Sequence, residues 1–507
     1  MRIPIECDGP VPLYRQIQTF LQEQIQSGAL LPETRLPATR DLAASLGLSR
    51  ITVTNAYAEL EAEGLVYTRR GSGTFVAPPL PDLPPSEEER SAPADWPLWQ
   101  QQLLTHSWRS VQGDLDRMTA SVSRPDAISF WGGIGDSEMF PADEFRKTLQ
   151  AVLRRDGSEC LGYGDRCGYP PLRATIAHIL TSQGVPTHPD QVLITSGSQQ
   201  ALALVAWLLL RPGDVVMVES PTYSCAIDLF RSLDVRLLGV PVDEQGMRVE
   251  QAEDCMRSNR PRLIYTIPTF QNPTGTCMSG RRRRQLIALA DRYNVPILED
   301  DFLGDLRYEG CAQPALKALA PAGRVIYVST FSKMLMPGLR VGFLVAEGPV
   351  YERLLACKRV SDLATCSLTQ RALEAYITVG RYQAHLRRTC QVYRGRRDAM
   401  LAALDRHMPA GAGWQSPRGG LFLWLQLPAA LSVSQLLPLA AEEGVTFAPG
   451  SIFYPCECAQ EYVRLNFSMH PPDVIEEGVR RLGRAVERCL ASEEGEVTVP
   501  RPRAVVV

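Results

Sequence analysis

The sequence predicts a multidomain protein: a small winged helix-turn-helix domain, then a large α/β domain that ends in a smaller α+β region. Three observations support this fold class. The 507 residues are too many for one hydrophobic core. Helical patterns dominate up to residue 77, and from about residue 126 short apolar runs alternate with longer helical patterns. A proline-rich, acidic stretch separates the two patterns.

The composition, with 45% hydrophobic and 21% charged residues, is typical of a soluble globular protein. The net charge of −3 gives no overall attraction to nucleic acid, so any DNA-binding surface has to be local. The longest apolar stretch, residues 201–210, reaches about half the length of a bilayer span, and we identify no secretory signal. The thirteen cysteines lack a metal spacing, and a metal or redox role for Cys456 and Cys458 is the less favoured alternative. We therefore expect a cytoplasmic protein with reduced thiols and no metal site.

Residues 1–77 form the predicted winged-helix domain. An apolar stripe runs along a helix over residues 12–30, and a second, short helix ends in a turn at Gly47. Ser49 is the expected N-cap of the next helix, whose apolar residues face inward. Residues 64–76 then predict a hairpin with a glycine-rich tip. This spacing is typical of a domain whose second motif helix lies in the major groove, beside a wing.

Basic and hydroxyl side chains lie where such a domain would meet DNA. Arginines are suited to phosphates, and the hydroxyls that begin the second motif helix are suited to phosphates or base edges. The residues with these side chains are Arg40, Ser49, Arg50, Thr52, Thr54, Arg69 and Arg70.

Residues 12–77 resemble the winged-helix domain of the GntR superfamily. The resemblance is carried by Leu-Pro-x-x-Arg-x-Leu-Ala from Leu36 and by Arg-Gly-Ser-Gly-Thr-Phe from Arg70. A helical module that serves only dimerisation is the alternative. The resemblance implies DNA contacts from Arg40, Ser49, Arg50, Thr52, Thr54, Arg70, Gly71, Ser72 and Gly73.

Residues 78–125 form the predicted linker between the domains. Its first part is rich in proline and acidic residues, which disfavour a packed element. Its second part carries Trp96, Trp99 and Trp108, and we expect it to dock on the next domain. At the other end of the chain, residues 491–507 are predicted to form a flexible tail.

Residues 126–490 form the predicted large domain. Apolar runs over residues 192–195, 214–218, 262–267, 295–298 and 324–328 predict buried, mainly parallel strands. Helical patterns lie between most of them, for example over residues 199–210 and 281–293. A further apolar run, residues 421–427, indicates the smaller α+β region.

Four arginines, Arg281 to Arg284, open the second of these helices. Such a run is usually a solvated face, and contact with DNA is the less favoured alternative.

Polar residues follow the predicted strands at the edge where α/β folds bind ligands. They supply what pyridoxal phosphate requires: a lysine for covalent attachment, an acid for the pyridine nitrogen, donors for the phosphate, and groups that hold the phenolic oxygen. We assign the acid to Asp300, with Asp301 as structural. Each motif alone has an ordinary structural explanation, so the combination carries the prediction. The predicted cofactor residues are Lys333, Asp300, Asn272, Tyr223, Ser198, Gln199, Thr330, Ser332 and Arg340.

From about residue 126 to residue 488 the chain resembles fold-type I aminotransferases, particularly the group of 2-aminoadipate and kynurenine aminotransferases. Supporting motifs are Tyr-Gly-x-x-x-Gly from Tyr163, Ser-Pro-Arg-Gly-Gly-Leu-Phe-Leu-Trp from Ser416 and Phe-Ala-Pro-Gly from Phe447. The resemblance implies pyridoxal phosphate as cofactor and Lys333 as the catalytic residue. It also implies that Tyr163 reaches the phosphate in the partner subunit of a homodimer, and that Arg464 holds the carboxylate of an amino acid.

The complete layout resembles the MocR subfamily of GntR-superfamily regulators. It implies a homodimer that binds promoter DNA and senses pyridoxal phosphate, an amino compound, or both. A catalytically competent aminotransferase that carries a DNA-binding module is the alternative, since Lys333, Asp300 and Arg464 are all present.

Two positions depart from relatives. Phe302 stands where relatives commonly have a tyrosine that contacts the phenolic oxygen, which removes a hydrogen bond of about 0.5–1.5 kcal/mol. This favours a sensor over an efficient catalyst. Cys225 stands where a GABA-responsive relative would supply a basic group, which disfavours a GABA sensor.

Overall fold

The computed structural model describes residues 3–5, 12–26, 29–62, 65–69, 73–77, 97, 126–320, 323–456 and 461–496. The chain divides into two compact units, Met1–Ser107 and Trp108–Val507. Almost all of the predicted linker lies outside the described residues. Among the helices that are described, none is both long enough and apolar enough to cross a bilayer.

The N-terminal unit consists of three helices and a hairpin, as the sequence predicts. Gly47 ends the second helix with a φ of 68°, a left-handed conformation that glycine adopts without strain. The Ser49 hydroxyl accepts a hydrogen bond from the Thr52 backbone N–H at 3.2 Å, which confirms the predicted N-cap. Apolar residues of all the elements form one core. The elements are α1 (Leu13–Gln26), α2 (Thr39–Leu46), α3 (Arg50–Ala62) and the antiparallel strands β1 (Val66–Arg69) and β2 (Gly73–Val76).

The large unit contains a short strand, β3 (Ile128–Ser129), and an eight-stranded sheet. The sheet strands are β4 (Val192–Thr195), β5 (Val215–Ser220), β6 (Arg236–Asp243), β7 (Gly246–Met247), β8 (Leu263–Thr266), β9 (Ile297–Asp300), β10 (Val325–Thr330) and β11 (Gly342–Val345). Their order across the sheet is β4-β11-β10-β9-β8-β5-β6-β7. The five strands from β10 to β6 are parallel, whereas β11 is antiparallel to both of its neighbours and β7 is antiparallel to β6.

Helices accompany this sheet, and the parallel strands β8, β9 and β10 are buried along their whole length, as parallel strands covered on both faces must be. The helices are α4 (Ala142–Asp156), α5 (Pro170–Ser182), α6 (Ser198–Leu209), α7 (Ser224–Arg231), α8 (Val249–Asn259), α9 (Gly280–Arg292), α10 (Leu316–Leu319), α11 (Pro349–Ser361), α12 (Ser367–Thr378) and α13 (Arg381–His407).

The predicted α+β region is a four-stranded sheet with helices packed against it. The sheet order is β12-β13-β16-β15, and β14 pairs in parallel with β3, which ties the beginning of the large unit to its end. The elements are β12 (Gly413–Trp414), β13 (Phe422–Gln426), α14 (Val433–Glu442), β14 (Val445–Thr446), β15 (Ala448–Pro449), β16 (Tyr462–Asn466) and α15 (Pro472–Glu496).

The last helix continues beyond the expected boundary at residue 490. It ends at Glu496, so the part of the predicted tail up to that residue is helical, and residues 497–507 lie outside the described residues. Three of the six residues 491–496 are glutamate, which favours a helix once a packed helix precedes it.

The arginine run Arg281 to Arg284 is only partly a solvated face. Arg282 and Arg283 are buried. Arg282 forms an ion pair with Asp243, with its Nη2 atom 2.8 Å from Oδ2. Arg283 donates to the Pro268 carbonyl at 2.7 Å. The expectation of a solvated face is therefore wrong for these two residues, because they satisfy acceptors in the interior, and this burial also removes them from contact with DNA.

Candidate functional site

A cavity of about 260 Å³ lies beyond the carboxyl ends of the parallel strands. Most of the predicted residues that line it follow a strand of the large sheet or begin a helix, which is where a parallel α/β sheet binds its ligands. Six of the predicted residues line it: Ser198, Tyr223, Asn272, Asp300, Lys333 and Arg464.

Lys333 lies just after β10 and is largely buried in this cavity. Burial, and then the positive charge of Arg464, lower the pKa of Lys333 to about 8. A lysine with this pKa is partly neutral near neutral pH, and the neutral amine is the nucleophilic form.

Asp300 ends β9 and is 2% exposed. The Tyr265 hydroxyl donates to its Oδ2 atom at 2.9 Å, whereas its Oδ1 atom has no hydrogen-bond partner among the described residues. Burial raises the pKa of Asp300 to about 7, although the Tyr265 hydrogen bond acts in the opposite direction. A buried carboxylate oxygen without a partner is costly, and a ligand with an N–H or a positive charge would relieve that cost.

Arg464, from β16, is a buried cation in the same cavity. Its Nη1 atom donates to Asn272 Oδ1 at 3.0 Å and its Nη2 atom donates to the Trp131 carbonyl at 2.7 Å. Its guanidinium carbon lies 4.2 Å from the ring centroid of Phe422 and 4.8 Å from that of Phe453. Burial lowers the pKa of Arg464 to about 10, so the group stays charged at neutral pH. In the described parts of the chain no carboxylate pairs with it, and its Nε atom has no partner, so the residue is suited to an anionic ligand.

A second anion-binding feature lies at the N-terminus of α6. Gly197 precedes Ser198 with a φ of 87°, and Arg340 Nη2 donates to the Ser196 carbonyl at 2.9 Å. A Cβ atom on Gly197 would lie 2.7 Å from Arg340 Nη2, and one on Gly342 would lie 2.6 Å from the Gly197 backbone. The two glycines therefore let a guanidinium approach the free N–H groups of a helix terminus, an arrangement suited to a phosphate.

Other predicted cofactor residues lie outside the cavity wall. The Thr330 hydroxyl donates to Ser332 Oγ at 3.0 Å, and Thr330 lines a separate cavity, so the structure does not bring it to Lys333. Gln199 donates to the Cys225 carbonyl at 3.3 Å, which ties α6 to the start of α7. Tyr163 is 89% exposed.

Asp301 makes the contact expected of a structural residue, since the Tyr327 hydroxyl donates to its Oδ2 atom at 2.6 Å.

The apolar wall of the cavity is what sequence reasoning missed. Phe302 lines it, as expected from its neighbour Asp300, but the rest of the wall comes from distant segments. Phe422 falls inside the motif that begins at Ser416, and the others carried no signal because their role depends on the fold. The missed residues are Trp131, Gly133, Ser224, Phe422, Ile452 and Phe453.

The N-terminal unit presents its own candidate surface on α3. Arg50, Ile51, Thr54 and Asn55 are exposed along one side of this helix, while the opposite side is buried in the core. Thr54 Oγ1 donates to the Arg50 carbonyl at 2.9 Å, so that hydroxyl is engaged within the helix. This side of α3 is the one that a helix-turn-helix presents to DNA.

Around α3, the residues predicted to contact DNA differ in whether other groups of the domain already bind their side chains. Ser49 and Thr52 hydroxyls bond to each other at 2.8 Å. Arg40 is exposed beside Asp41, with Nε and Oδ1 3.3 Å apart. Arg69 lies over the Tyr67 ring and 3.6 Å from a Glu33 carboxylate oxygen, so it is held by its own domain.

The wing tip falls largely outside the described residues. Arg70, Gly71 and Ser72 belong to that tip and are not described, and Gly73 begins β2. A Cβ atom on Gly73 would lie 2.9 Å from Arg35 Nε, so glycine permits this approach.

No group of three or more His, Cys, Asp or Glu side chains in the described ranges is arranged to hold a metal ion, and Cys458 lies outside those ranges.

Comparisons with known proteins match both units. Residues 13–76 match the family "Bacterial regulatory proteins, gntR family", and residues 133–482 match "Aminotransferase class I and II". The chain is 32% identical to the uncharacterised helix-turn-helix regulator YdfD of Bacillus subtilis, over 95% of this chain and 98% of that one.

It is also 32% identical to the probable rhizopine catabolism regulatory protein MocR of Rhizobium meliloti, over 95% of each chain. Among solved structures, Pyrococcus horikoshii kynurenine aminotransferase, in complex with PMP, kynurenine and its product, matches with a TM-score of 0.73 and 34% identity, over 80% of this chain and 98% of that one. The chain therefore belongs to the MocR type of GntR-family transcriptional regulators, in which a winged helix is joined to an aminotransferase class I and II domain.

Proposed function

We propose that this regulator binds pyridoxal phosphate in the Lys333 cavity, binds a carboxylated amine beside it, and changes its affinity for promoter DNA in response. The observation that carries the proposal is the unpartnered, buried Oδ1 atom of Asp300 in the same cavity as Lys333 and Arg464. This acid, amine and guanidinium come from three separate segments of the chain and line one cavity.

Pyridoxal phosphate fits the residues present. Oδ1 of Asp300 suits a protonated pyridine nitrogen, because a cationic N–H would supply the missing partner. The N-terminus of α6 with Arg340 suits the phosphate. Asn272 accepts from Arg464 through its oxygen, so its amide N–H groups are the donors that it would offer to the phenolic oxygen. Lys333 would hold the aldehyde carbon, and the bound cofactor would supply an electron-withdrawing ring.

The effector class follows from the charges in the cavity. Arg464 is a buried cation without an acidic partner in the described residues, so it suits one carboxylate. The remaining wall is mainly apolar, with Phe302, Phe422 and Phe453 among its residues. Cys225 contributes a thiol and no second cation. An amino acid with one carboxylate and an apolar remainder satisfies these groups, whereas a second anionic group would be buried unpaired.

A signal to DNA requires two states that the ligand binds with different affinity. Arg464 connects a bound ligand to two other segments of the large unit. Its two terminal nitrogens donate hydrogen bonds to Asn272 and to the Trp131 carbonyl. A carboxylate that binds through the free Nε–H of Arg464 leaves both acceptors in place, whereas one that also takes a terminal nitrogen competes with Asn272 or the Trp131 carbonyl. In the second of these binding modes, the ligand would change contacts between segments of the large unit.

The proposed assembly is a homodimer that binds promoter DNA through α3 and the wing of each chain. Tyr163 supports the dimer, because an aromatic side chain that is 89% exposed in one chain is suited to a partner's phosphate site.

The second candidate function is a working aminotransferase that also binds DNA, which the presence of Lys333, Asp300 and Arg464 favours. Phe302 weighs against it, since this buried residue offers no hydroxyl to the cavity. Product formation from a panel of amino and keto acids separates the two, because sustained multiple turnover contradicts a purely regulatory role.

The test of cofactor binding compares Lys333→Ala with Lys147→Ala, an exposed lysine on α4, in the full-length protein. Incubated with pyridoxal phosphate, the wild-type and Lys147→Ala proteins are expected to show the visible absorbance band of a lysine-bound cofactor, and Lys333→Ala is expected to lack it. An unchanged band in Lys333→Ala, or no band in the wild type, overturns the proposal.

A further inference from the structure

Ile51 is an exposed apolar side chain in the first turn of α3. It is 72% exposed, and the other large hydrophobic residue exposed to this degree in the described part of the N-terminal unit, Leu31, lies outside the helices at 65%. A single exposed apolar residue is ordinary on a protein surface. The position of Ile51, beside Arg50 on the outward side of α3, is what calls for an explanation.

The hydroxyl groups near Ile51 are engaged in the helix. Ser49 and Thr52 bond to each other, and Thr54 donates to the Arg50 carbonyl. In the described first turn of α3, the side chains that are exposed and not engaged in the helix are those of Arg50 and Ile51.

The charge on this side of α3 suits DNA. Residues 50–58 contain no acidic residue, and Arg50 supplies a positive charge at the start of the helix. Helix-turn-helix proteins present the N-terminal residues of this helix to the bases in the major groove.

An isoleucine side chain neither donates nor accepts hydrogen bonds. The major groove offers it one apolar group, the 5-methyl group of thymine. Its β-branched side chain also has few rotamers, so little conformational freedom is lost when it makes a contact. We propose that Ile51 reads a thymine methyl group in the operator and is a specificity-determining residue. This inference rests on the proposed contact between α3 and promoter DNA.

The test first obtains an operator by selecting duplexes from a random library with the full-length protein. The selected duplex is then made in two forms, one with thymine and one with uracil, which lacks only the methyl group. We expect wild-type protein to bind the uracil form about fourfold more weakly for each methyl group that Ile51 contacts. Ile51→Ala should bind the thymine form more weakly by a similar factor and should be insensitive to the replacement.

The matched control is Leu31→Ala, which removes the other large hydrophobic side chain that is exposed in the described part of this unit. It should show the wild-type preference for thymine, so any general effect of uracil on the duplex is common to both proteins. Equal uracil sensitivity in wild type and Ile51→Ala, or no sensitivity in wild type, overturns the inference while DNA binding stands. If selection enriches no sequence, the DNA-binding proposal fails and the inference fails with it.

Discussion

The two candidate sites are built in opposite ways. The α3 surface is exposed, its side chains come from one short helix, and its hydroxyl groups bond to neighbours within that helix or at its start. The Lys333 cavity is buried, its residues come from segments more than three hundred residues apart, and burial shifts the pKa of its acid, amine and guanidinium groups. Water and salt screen the charges of the first site, whereas the second keeps buried charged groups that the protein's own hydrogen bonds satisfy only in part. Substitutions in the cavity should therefore change stability or ligand affinity strongly. Substitutions on α3 should change operator affinity by smaller amounts that depend on the residue.

The largest expected effect is on the stability of the cofactor-free protein in Asp300→Asn. The ordinary pKa of aspartate is 3.8, and folding raises that of Asp300 to about 7. Between these values the unfolded chain loses the proton first, so this residue makes the cofactor-free protein less stable as pH rises from about 4 to about 7. The amide removes that cost, on the order of 4 kcal/mol at pH 8. Urea denaturation at pH 8 should show Asp300→Asn more stable than wild type, with little difference at pH 4. A wild-type protein that is more stable than Asp300→Asn at pH 8 would contradict the inference that the Asp300 carboxylate destabilises the cofactor-free protein.

Arg464→Ala should abolish most of the response to a carboxylated amine. A hydrogen-bonded charge pair contributes about 1.5–3 kcal/mol, so we expect amine affinity to fall about 10- to 100-fold. Arg464→Lys should recover little, because it keeps the charge and loses the planar fork. Titration of the cofactor absorbance with amine measures this. Arg257→Ala, an exposed arginine on α8, is the control. If Arg464→Ala binds the amine as wild type does, Arg464 is structural.

On α3, Arg50→Ala should weaken operator binding about tenfold and reduce the dependence of affinity on salt, because a phosphate contact releases a counterion. Fluorescence anisotropy at several salt concentrations gives both quantities. Weaker binding with an unchanged salt slope would point to a base contact instead of a phosphate contact.

The smallest effect is expected for Thr54→Val. The Thr54 hydroxyl donates to the Arg50 carbonyl, so its loss should change operator affinity less than about twofold. The same anisotropy titration measures this variant. A loss as large as that of Arg50→Ala would mean that the hydroxyl leaves the helix to bond DNA.

The difference between the two sites also explains what the sequence could predict. On α3, the helical period decides which side chains face outward, so Arg50 and Thr54 were located from the sequence. The period did not reveal that the Thr54 hydroxyl is engaged, because that bond needs coordinates.

In the cavity, Lys333, Asp300 and Asn272 were located because each follows a recognisable strand. Thr330 was predicted on the same grounds, since it lies at the end of β10, but it lines a different cavity. The aromatic contacts of Arg464 with Phe422 and Phe453 join β13, β16 and a short 3-10 helix (Gly450–Phe453), and no local pattern encodes such a junction.

The fold, like the two sites, could be predicted from the sequence only in part. The buried parallel strands were predicted, whereas β6 and β11 were missed. Strand β6 contains Gly239 and Pro241, which weaken a strand pattern, and β11 is a short antiparallel strand directly after Arg340. The burial of Arg282 and Arg283 was missed because a run of charges gives no sign of the carbonyls and carboxylates that will surround it.

The central claim is that ligands in the Lys333 cavity change how the protein binds DNA. The direct test is the affinity of the full-length protein for its selected operator, measured without ligand, with pyridoxal phosphate, and with pyridoxal phosphate plus carboxylated amines. Lys333→Ala serves as the matched variant. We expect the ligands to change wild-type affinity by about 5- to 150-fold, as typical coupling energies allow, and to leave Lys333→Ala unaffected. Wild-type affinity that is the same in all conditions would contradict the account.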